Sequence, residues 1–332
     1  MSIVQNLFGS PARGRGQPEP TLRAPELHRD ASAVPAHVEV ANWRYENIDV
    51  ELDPEARTFW CFMRTKERGS FTLELMQDIA HMQRSFPRLF AERAHEPEKP
   101  FEYFVFASRI PGTYNLGGDL GFFAERIRAR DRAALSLYAH TAVRAIHKNH
   151  TAFDVPVVTM ALVQGDALGG GFECALSLDM IVAERSAKMG LPEILFNLFP
   201  GMGAYSFLSR RLDAARAEKM ILSGKIYSAE ELHELGIVDV LADDGNGEEA
   251  AREYIDRHAY RHNAYRGVFQ ARRRVNPVPF DELRDVVDIW VEAALSLKEA
   301  DLRKMERLTA AQNRRRAATA QPEPVVSALP AE

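Results

Sequence analysis

Two glutamates lie in apolar sequence, where a carboxylate is unusual. Glu173 belongs to QGDALGGGFECALS (164–177), and Glu193 belongs to GLPEILF (190–196). Each occupies the first turn of a predicted helix after a glycine-bearing strand end, a position that the helix dipole alone would favour. A buried carboxylate is destabilising unless it is paired or neutralised. Two carboxylates in one cleft can transfer protons at two atoms of a substrate, so we take Glu173 and Glu193 as a candidate acid–base pair.

Two glycine-rich loops precede predicted helices. RIPGTYNLGGDL (109–120) and the loop before Glu173 each follow a short apolar strand, so free backbone N–H groups would face whatever lies in front of them. A P-loop is excluded, because Gly171 and Phe172 stand where Lys and Ser or Thr are required. The dinucleotide-binding pattern also fails, because Cys174 replaces its last glycine. Two alternatives stay open: an oxyanion hole, in which two N–H groups bind one carbonyl oxygen, or simply two tight turns.

The elements that would position these residues alternate between strands and helices. ENIDVEL (46–52) and TFWCFMR (58–64) predict a hairpin. Helical spacing of apolar residues predicts a helix over 71–86, with Ser70 as its N-cap. Further strands are predicted at 103–108, 156–163, 180–184 and 187–191, and further helices at 131–150, 171–177, from Pro192 and at 228–235. Strand pairs followed by helices recur, which favours an α/β fold of stacked ββα units.

Composition limits the class of protein. The 332 residues include 42 basic and 47 acidic side chains, a net charge of −5, so nothing indicates a nucleic-acid-binding protein. The two cysteines, Cys61 and Cys174, suit a reducing compartment. Apolar stretches fall far short of the ~20 residues of a membrane helix. We therefore expect a cytoplasmic protein without membrane insertion, and the histidine spacing predicts no metal site.

Four regions are predicted along the chain. Proline and glycine punctuate residues 1–40 and 317–332, and both tails are expected to be disordered. Residues 41–245 would form the α/β core, and 246–316 an all-helical C-terminal region.

Three motifs together resemble the enoyl-CoA hydratase (crotonase) superfamily. They are YNLGGDL (114–120), ALGGGFECALS (167–177) and, with its glutamate 20 residues after Glu173, LPEILFNLFPGMGA (191–204). The resemblance covers about residues 45–260 and implies a crotonase-like spiral of stacked ββα units with an all-helical C-terminal region. It also implies that Gly118 and Gly170 supply the oxyanion N–H groups and that Glu173 and Glu193 are the acid–base pair. No cofactor is implied, and relatives commonly form trimers or dimers of trimers.

A narrower resemblance points to the bacterial diffusible signal factor synthases within that superfamily. It rests on YNLGGDL, on FNLFPGMGAYSFLSRR (196–211) and on the apolar C-terminal segment beginning DIWVEAAL (288–295). It implies dehydration of a medium-chain 3-hydroxyacyl thioester of acyl carrier protein or CoA. Thioester hydrolysis would then release a cis-2-unsaturated fatty acid. By analogy with the hydratases, Glu193 would be the base at C2 and Glu173 the acid at the 3-hydroxyl.

Several interpretations stay open. The chain could be an ordinary enoyl-CoA hydratase or isomerase, or a crotonase-fold binding partner of a sensor histidine kinase. The C-terminal Trp290, Leu297 and Leu308 could line an acyl pocket or form plain core. The arginine runs at 271–274 and 314–316 could meet an acidic carrier protein or be a solvated face.

Overall fold

The computed structural model describes residues 34–64 and 69–319, with side chains through residue 311. Its strands are β1 Ile48–Asp53, β2 Thr58–Met63, β3 Tyr103–Ser108, β4 Thr113–Asn115, β5 Val158–Val163, β6 Asp166–Leu168, β7 Met180–Glu184, β8 Lys188–Gly190, β9 Ile226–Ser228 and β10 Val240–Ala242. Its α-helices are α1 Ala36–Ala41, α2 Leu73–Glu92, α3 Leu120–Arg128, α4 Arg132–His150, α5 Gly170–Leu176, α6 Ala204–Arg211, α7 Ala214–Ser223, α8 Ala229–Glu234, α9 Gly247–His258, α10 His262–Val275, α11 Phe280–Leu295 and α12 Glu299–Thr319. Short 3₁₀ helices span Ala152–Asp154, Pro192–Phe196 and Ala259–Arg261.

The larger sheet has six strands in the order β1-β2-β3-β5-β7-β10. Only β1 runs antiparallel to its neighbour, as the hairpin with β2 that the sequence predicts. Every residue of β2, β3, β5 and β7 is buried. Successive side chains alternate between two apolar clusters, with Phe59 and Cys61 in one and Trp60 and Phe62 in the other. A parallel sheet covered on both faces explains why these strands are unbroken apolar runs.

The smaller sheet has the order β4-β6-β8-β9 and is built from strands of three residues each. β4, β6 and β8 run parallel, with Asn115 opposite Ala167 and Leu168 opposite Gly190, and β9 closes the sheet antiparallel to β8.

From β3 to β8, successive strands along the chain belong alternately to the large and the small sheet. β3 is followed by β4 and α3, β5 by β6 and α5, and β7 by β8 and the 3₁₀ helix Pro192–Phe196. Each ββα unit thus adds one strand to the large sheet and one to the small sheet, and helices then lead the chain back to the large sheet. This arrangement confirms the crotonase-like fold of stacked ββα units with a helical C-terminal region.

The C-terminal helices cover this core from two sides. α9 places Ala251 and Ile255 against the second apolar cluster of the large sheet. α11 packs along α4, and α12 packs on α3, where Arg128 binds both Glu299 and Glu306. Among the described residues, no helix is both long and apolar enough to cross a membrane.

A few elements differ from the sequence-based predictions. Thr72, not Ser70, caps α2, because its hydroxyl is the one that accepts the Leu75 N–H, at 3.2 Å. The short helix α1 begins within the segment 1–40, for which the sequence predicts disorder, and ends at Ala41, and α12 continues to Thr319. The expected disorder of residues 1–33 and 320–332 falls outside the described residues. β4 and β6 lie within glycine-rich segments for which the sequence predicts loops.

Candidate active site

Three sequence motifs converge because they follow three neighbouring strands. Gly118 follows β4, Gly170 follows β6, and Glu193 follows β8. These strands are parallel neighbours in the small sheet, so their carboxyl ends meet at one edge. Ligands commonly bind outside the carboxyl ends of parallel strands.

The two glycine loops touch backbone to backbone. Gly117 has φ +89°, and a Cβ there would lie 2.7 Å from the Leu168 carbonyl oxygen and 3.0 Å from the Gly170 nitrogen. A Cβ at Gly171 would collide with the Asn115 carbonyl oxygen. Only glycine allows both the left-handed turn and this close approach.

Both loops leave a backbone donor beside the same cavity. Gly170 is the first residue of α5, and the first N–H groups of a helix have no acceptor within the helix. Among the described residues, no backbone acceptor binds the Gly118 N–H either. Gly118, Gly170, Glu173 and Glu193 all line one cavity of about 50 Å³, here named the inner chamber.

Glu173 is held by the backbone that begins α6. Its side chain is 1% exposed, and its Oε1 accepts the N–H of Ala204, the first residue of that helix, at 2.9 Å. Burial, followed by the charge of Glu193, raises the pKa of Glu173 well above its usual range, although the Ala204 and Met202 N–H groups lower it. The backbone at the start of α6 therefore fixes the Glu173 carboxyl at the wall of the inner chamber.

For Glu193, the backbone group that lowers the pKa of the carboxyl is its own N–H. It lies in the 3₁₀ helix, and its buried Oε2 has no hydrogen-bond partner among the described residues. Its Oε1 lies against Gly169, where any Cβ would collide with it. Burial raises the pKa of Glu193 to about 7. Burial therefore favours the protonated form of both carboxyls.

The inner chamber is apolar beyond the glutamates. Its far wall is the Trp290 ring, which packs against Phe123 with ring centroids 5.0 Å apart. Trp290 approaches so closely that a Cβ at Gly201 would lie 2.5 Å from its ring. The other apolar lining residues are Leu120, Ala139, Ala142, Phe196, Leu198, Met202 and Val287.

A second cavity of about 180 Å³, here named the outer chamber, adjoins the first. The two chambers share Gly118, Leu120, Glu193 and Phe196 in their linings. Leu308 and Ala311 of α12 complete the outer chamber. Glu193 and the first glycine loop therefore stand at the junction of the two chambers.

The three residues predicted to line an acyl pocket lie in different parts of the structure. Trp290 lines the inner chamber and Leu308 the outer one, whereas Leu297 lies in the connection between α11 and α12 and packs into the core instead. In the run 271–274, Arg272 and Arg273 both bind the buried carboxylate of Asp179, so they act within the fold. The side chains of 314–316 lie outside the described residues.

Sequence reasoning missed the groups that hold the site in place. The Ala204 and Met202 N–H groups, which hold Glu173, carry no side-chain signal, although the glycines at 201 and 203 mark a turn there. Tyr138, six residues into α4, also lines the inner chamber. Among residues 34–64 and 69–311, no three His, Cys, Asp or Glu side chains are grouped as metal ligands.

Comparison with known proteins gives the same picture. The model of the family Enoyl-CoA hydratase/isomerase matches residues 92–274. The mitochondrial methylglutaconyl-CoA hydratase of Rattus norvegicus is 32% identical over 164 residues, which are 49% of this chain and 50% of that protein. The chain thus spans about half the length of the curated relatives it matches.

Solved structures agree at the level of the fold. Human mitochondrial delta3-delta2-enoyl-CoA isomerase superposes with a TM-score of 0.65 at 17% identity, covering 81% of this chain and 99% of that one. Pseudomonas aeruginosa DspI superposes with a TM-score of 0.56 at 23% identity, covering 71% and 84%. With the family match spanning more than half of its length, the chain belongs to the enoyl-CoA hydratase/isomerase family.

Proposed function

We propose that the chain dehydrates a medium-chain 3-hydroxyacyl thioester to the cis-2-enoyl thioester, and then hydrolyses the thioester to release the free fatty acid. One observation carries the first step: two buried carboxyls of raised pKa face one apolar chamber beside two backbone donors. Proton transfer at adjacent carbons of a thioester needs a base, an acid and a site for the oxyanion.

The backbone donors would act on the thioester oxygen. Gly118 and Gly170 N–H groups would bind that oxygen and stabilise the enolate that forms when C2 loses its proton. Loss of one such donor typically raises the barrier by about 3 kcal/mol. The glycines matter here because they remove the side chains that would keep the substrate from the backbone.

The carboxyls divide the proton transfers. Ionised Glu193 takes the C2 proton, and protonated Glu173 gives a proton to the 3-hydroxyl as the C3–O bond breaks and water leaves. Each transfer contributes roughly 10²–10⁴ in rate. A proton then returns from Glu193 to Glu173 through water. The higher pKa of Glu173 and the pKa of about 7 at Glu193 support this division near neutral pH.

Hydrolysis would use the same oxyanion site. A water activated by one of the carboxylates adds to the thioester carbonyl, and the carrier thiol leaves with a proton, which yields the free acid. The motifs shared with the diffusible signal factor synthases support this second step. The apolar inner chamber would take the acyl chain. Acyl carrier protein or CoA would carry the thioester, and the arm of the carrier would occupy the outer chamber.

The test is direct assay of the purified full chain. We would supply 3-hydroxydecanoyl thioesters of CoA and of acyl carrier protein, follow thiol release by absorbance, and identify products by mass spectrometry. Glu173→Gln and Glu193→Gln should each lower turnover at least 100-fold, because glutamine cannot exchange the proton. Both variants should still show a cooperative thermal unfolding transition. Unchanged turnover in either variant would refute the assignment.

An ordinary hydratase is the second candidate, and the similarity to methylglutaconyl-CoA hydratase favours it. That enzyme class would interconvert 2-enoyl-CoA and 3-hydroxyacyl-CoA without thiol release. Free acid among the products therefore separates the two functions.

A further inference from the structure

We propose that Tyr138 is a positioning residue that fixes the Gly118 donor, an inference that rests on the oxyanion role in the proposed function. The Tyr138 hydroxyl donates to the Phe71 carbonyl oxygen at 2.5 Å and accepts the Asp119 N–H at 3.2 Å. Phe71 pairs with Gly118 in an isolated parallel bridge, and Asp119 is the next residue in the chain. One side chain thus holds both the residue paired with the proposed donor and the residue that follows it.

The rest of the loop shows why this point matters. Upstream of Gly118, two backbone hydrogen bonds join the loop to the segment 69–71. The Leu116 N–H donates to the Gly69 carbonyl oxygen at 2.6 Å, and the Phe71 N–H donates to the Gly117 carbonyl oxygen at 2.7 Å. Downstream of Gly118, the Tyr138 hydroxyl adds a side-chain link between Phe71 and Asp119 to the backbone bridge of Phe71 with Gly118. With both sides tied, the Gly118 peptide keeps one orientation, which is what an oxyanion donor requires.

Tyr138 is itself held rigidly. It is 2% exposed, stacks on Phe122 with centroids 5.5 Å apart, and meets Phe123 edge-on at 4.9 Å. Burial raises the pKa of its hydroxyl, which therefore stays protonated. Because that hydroxyl is already engaged with two backbone groups, Tyr138 serves the loop and not the substrate directly.

The substitution Tyr138→Phe isolates the hydroxyl, because phenylalanine keeps the ring packing. We expect kcat to fall about 10- to 100-fold, less than the 10²–10³ that follows outright loss of an oxyanion donor. KM should change less than about threefold, since the chamber walls are retained. The matched control is Tyr103→Phe: Tyr103 is equally buried, but its hydroxyl has no partner among the described residues and lies in the cluster on the other face of the large sheet. Its turnover should equal that of the unaltered chain.

Two further measurements separate positioning from general damage. Raman spectra of a bound medium-chain 2-enoyl-CoA should show a weaker shift of the thioester carbonyl band in Tyr138→Phe than in the Tyr103→Phe control. Amide hydrogen exchange should accelerate in peptides covering 69–71 and 116–119, and it can be measured even where turnover is too low to detect.

The possible results distinguish this inference from the proposed function. If Glu193→Gln abolishes turnover but Tyr138→Phe leaves kcat and the carbonyl band unchanged, the positioning role is wrong and the proposed function stands. If Glu193→Gln retains turnover, the proposed function fails first. Equal loss of melting temperature and activity in both tyrosine variants, with an unshifted carbonyl band, would also overturn the inference.

Discussion

Replacement of Glu193 by glutamine should make the protein more stable at alkaline pH. The Glu193 carboxyl is buried, its Oε2 has no partner among the described residues, and burial raises its pKa from 4.5 to about 7. An acid with a raised pKa binds its proton more tightly in the folded state than in the unfolded state. Its contribution to stability is therefore largest at low pH and declines as pH rises from the unfolded value through the folded one.

The size of the effect follows from the two pKa values. A tenfold change in proton affinity corresponds to about 1.4 kcal/mol, so ionisation of Glu193 at pH 8.5 lowers the free energy of unfolding by roughly 3 kcal/mol. At pH 5.5 the free energy of unfolding is lowered by about 1 kcal/mol, because Glu193 is then ionised only in the unfolded chain. From pH 5.5 to pH 8.5, the free energy of unfolding of the unaltered chain should therefore fall by about 2 kcal/mol relative to that of Glu193→Gln.

Urea unfolding at pH 5.5, 7 and 8.5 measures this difference, because titrations outside the Glu173–Glu193 pair cancel between the chain and its variant. Thermal melts should show a relative shift of roughly 4–8 °C across the same range. The matched control is Glu173→Gln, which keeps Glu193 buried and should therefore keep the pH-dependent loss. Parallel stability–pH curves for Glu193→Gln and the unaltered chain would refute the raised pKa of Glu193.

Two further predictions concern the chamber wall and the glycine loops. Trp290→Ala should admit longer acyl chains or weaken chain-length selectivity, as product mass spectrometry would show, whereas a loss of about 3–5 kcal/mol in stability with an unaltered product profile would mean that Trp290 is only core. Gly117→Ala should lower turnover at least 100-fold and destabilise the fold by more than about 1 kcal/mol, because its Cβ would meet Leu168 and Gly170 at φ +89°. Gly267→Ala is the control, since no atom lies within 4 Å of its Cβ and alanine should stabilise α10 by about 0.5–1 kcal/mol. Full activity in Gly117→Ala would contradict the close contact of the two loops.

Elements whose sequence pattern extends over many residues were predictable from the sequence, and short strands that depend on pairing were not. The hairpin of β1 and β2, the apolar strands β3 and β5, and the helix α4 follow from runs or spacings that extend over at least six residues. β4 and β6 have three residues each, and their strand character comes from pairing with each other and with β8. The pairing of β4 with β6 joins segments about 50 residues apart, and that of β6 with β8 joins segments about 20 residues apart, so no local pattern in TYN or DAL could reveal it.

The same distinction applies to the site. Glu173 and Glu193 could be singled out because carboxylates are unusual in apolar sequence, and Gly118 and Gly170 because their motifs resemble those of the crotonase superfamily. The groups that hold them could not, because the Ala204 N–H and the Phe71 carbonyl belong to the backbone and any residue supplies them. Tyr138 resembles an ordinary core tyrosine until its hydroxyl is seen between Phe71 and Asp119.

The stability prediction and the proposed function have one physical cause. The apolar surroundings that destabilise ionised Glu193 bring its pKa near neutral pH, where a carboxyl can both accept and release a proton during turnover. Glutamine at this position should therefore stabilise the fold at alkaline pH and abolish turnover at every pH. A carboxylate that served only the fold would behave in the opposite way, because its removal would destabilise the protein and leave the chemistry intact. Stability and turnover measured on the same Glu193→Gln preparation therefore decide whether the burial of this charge serves the reaction or the fold.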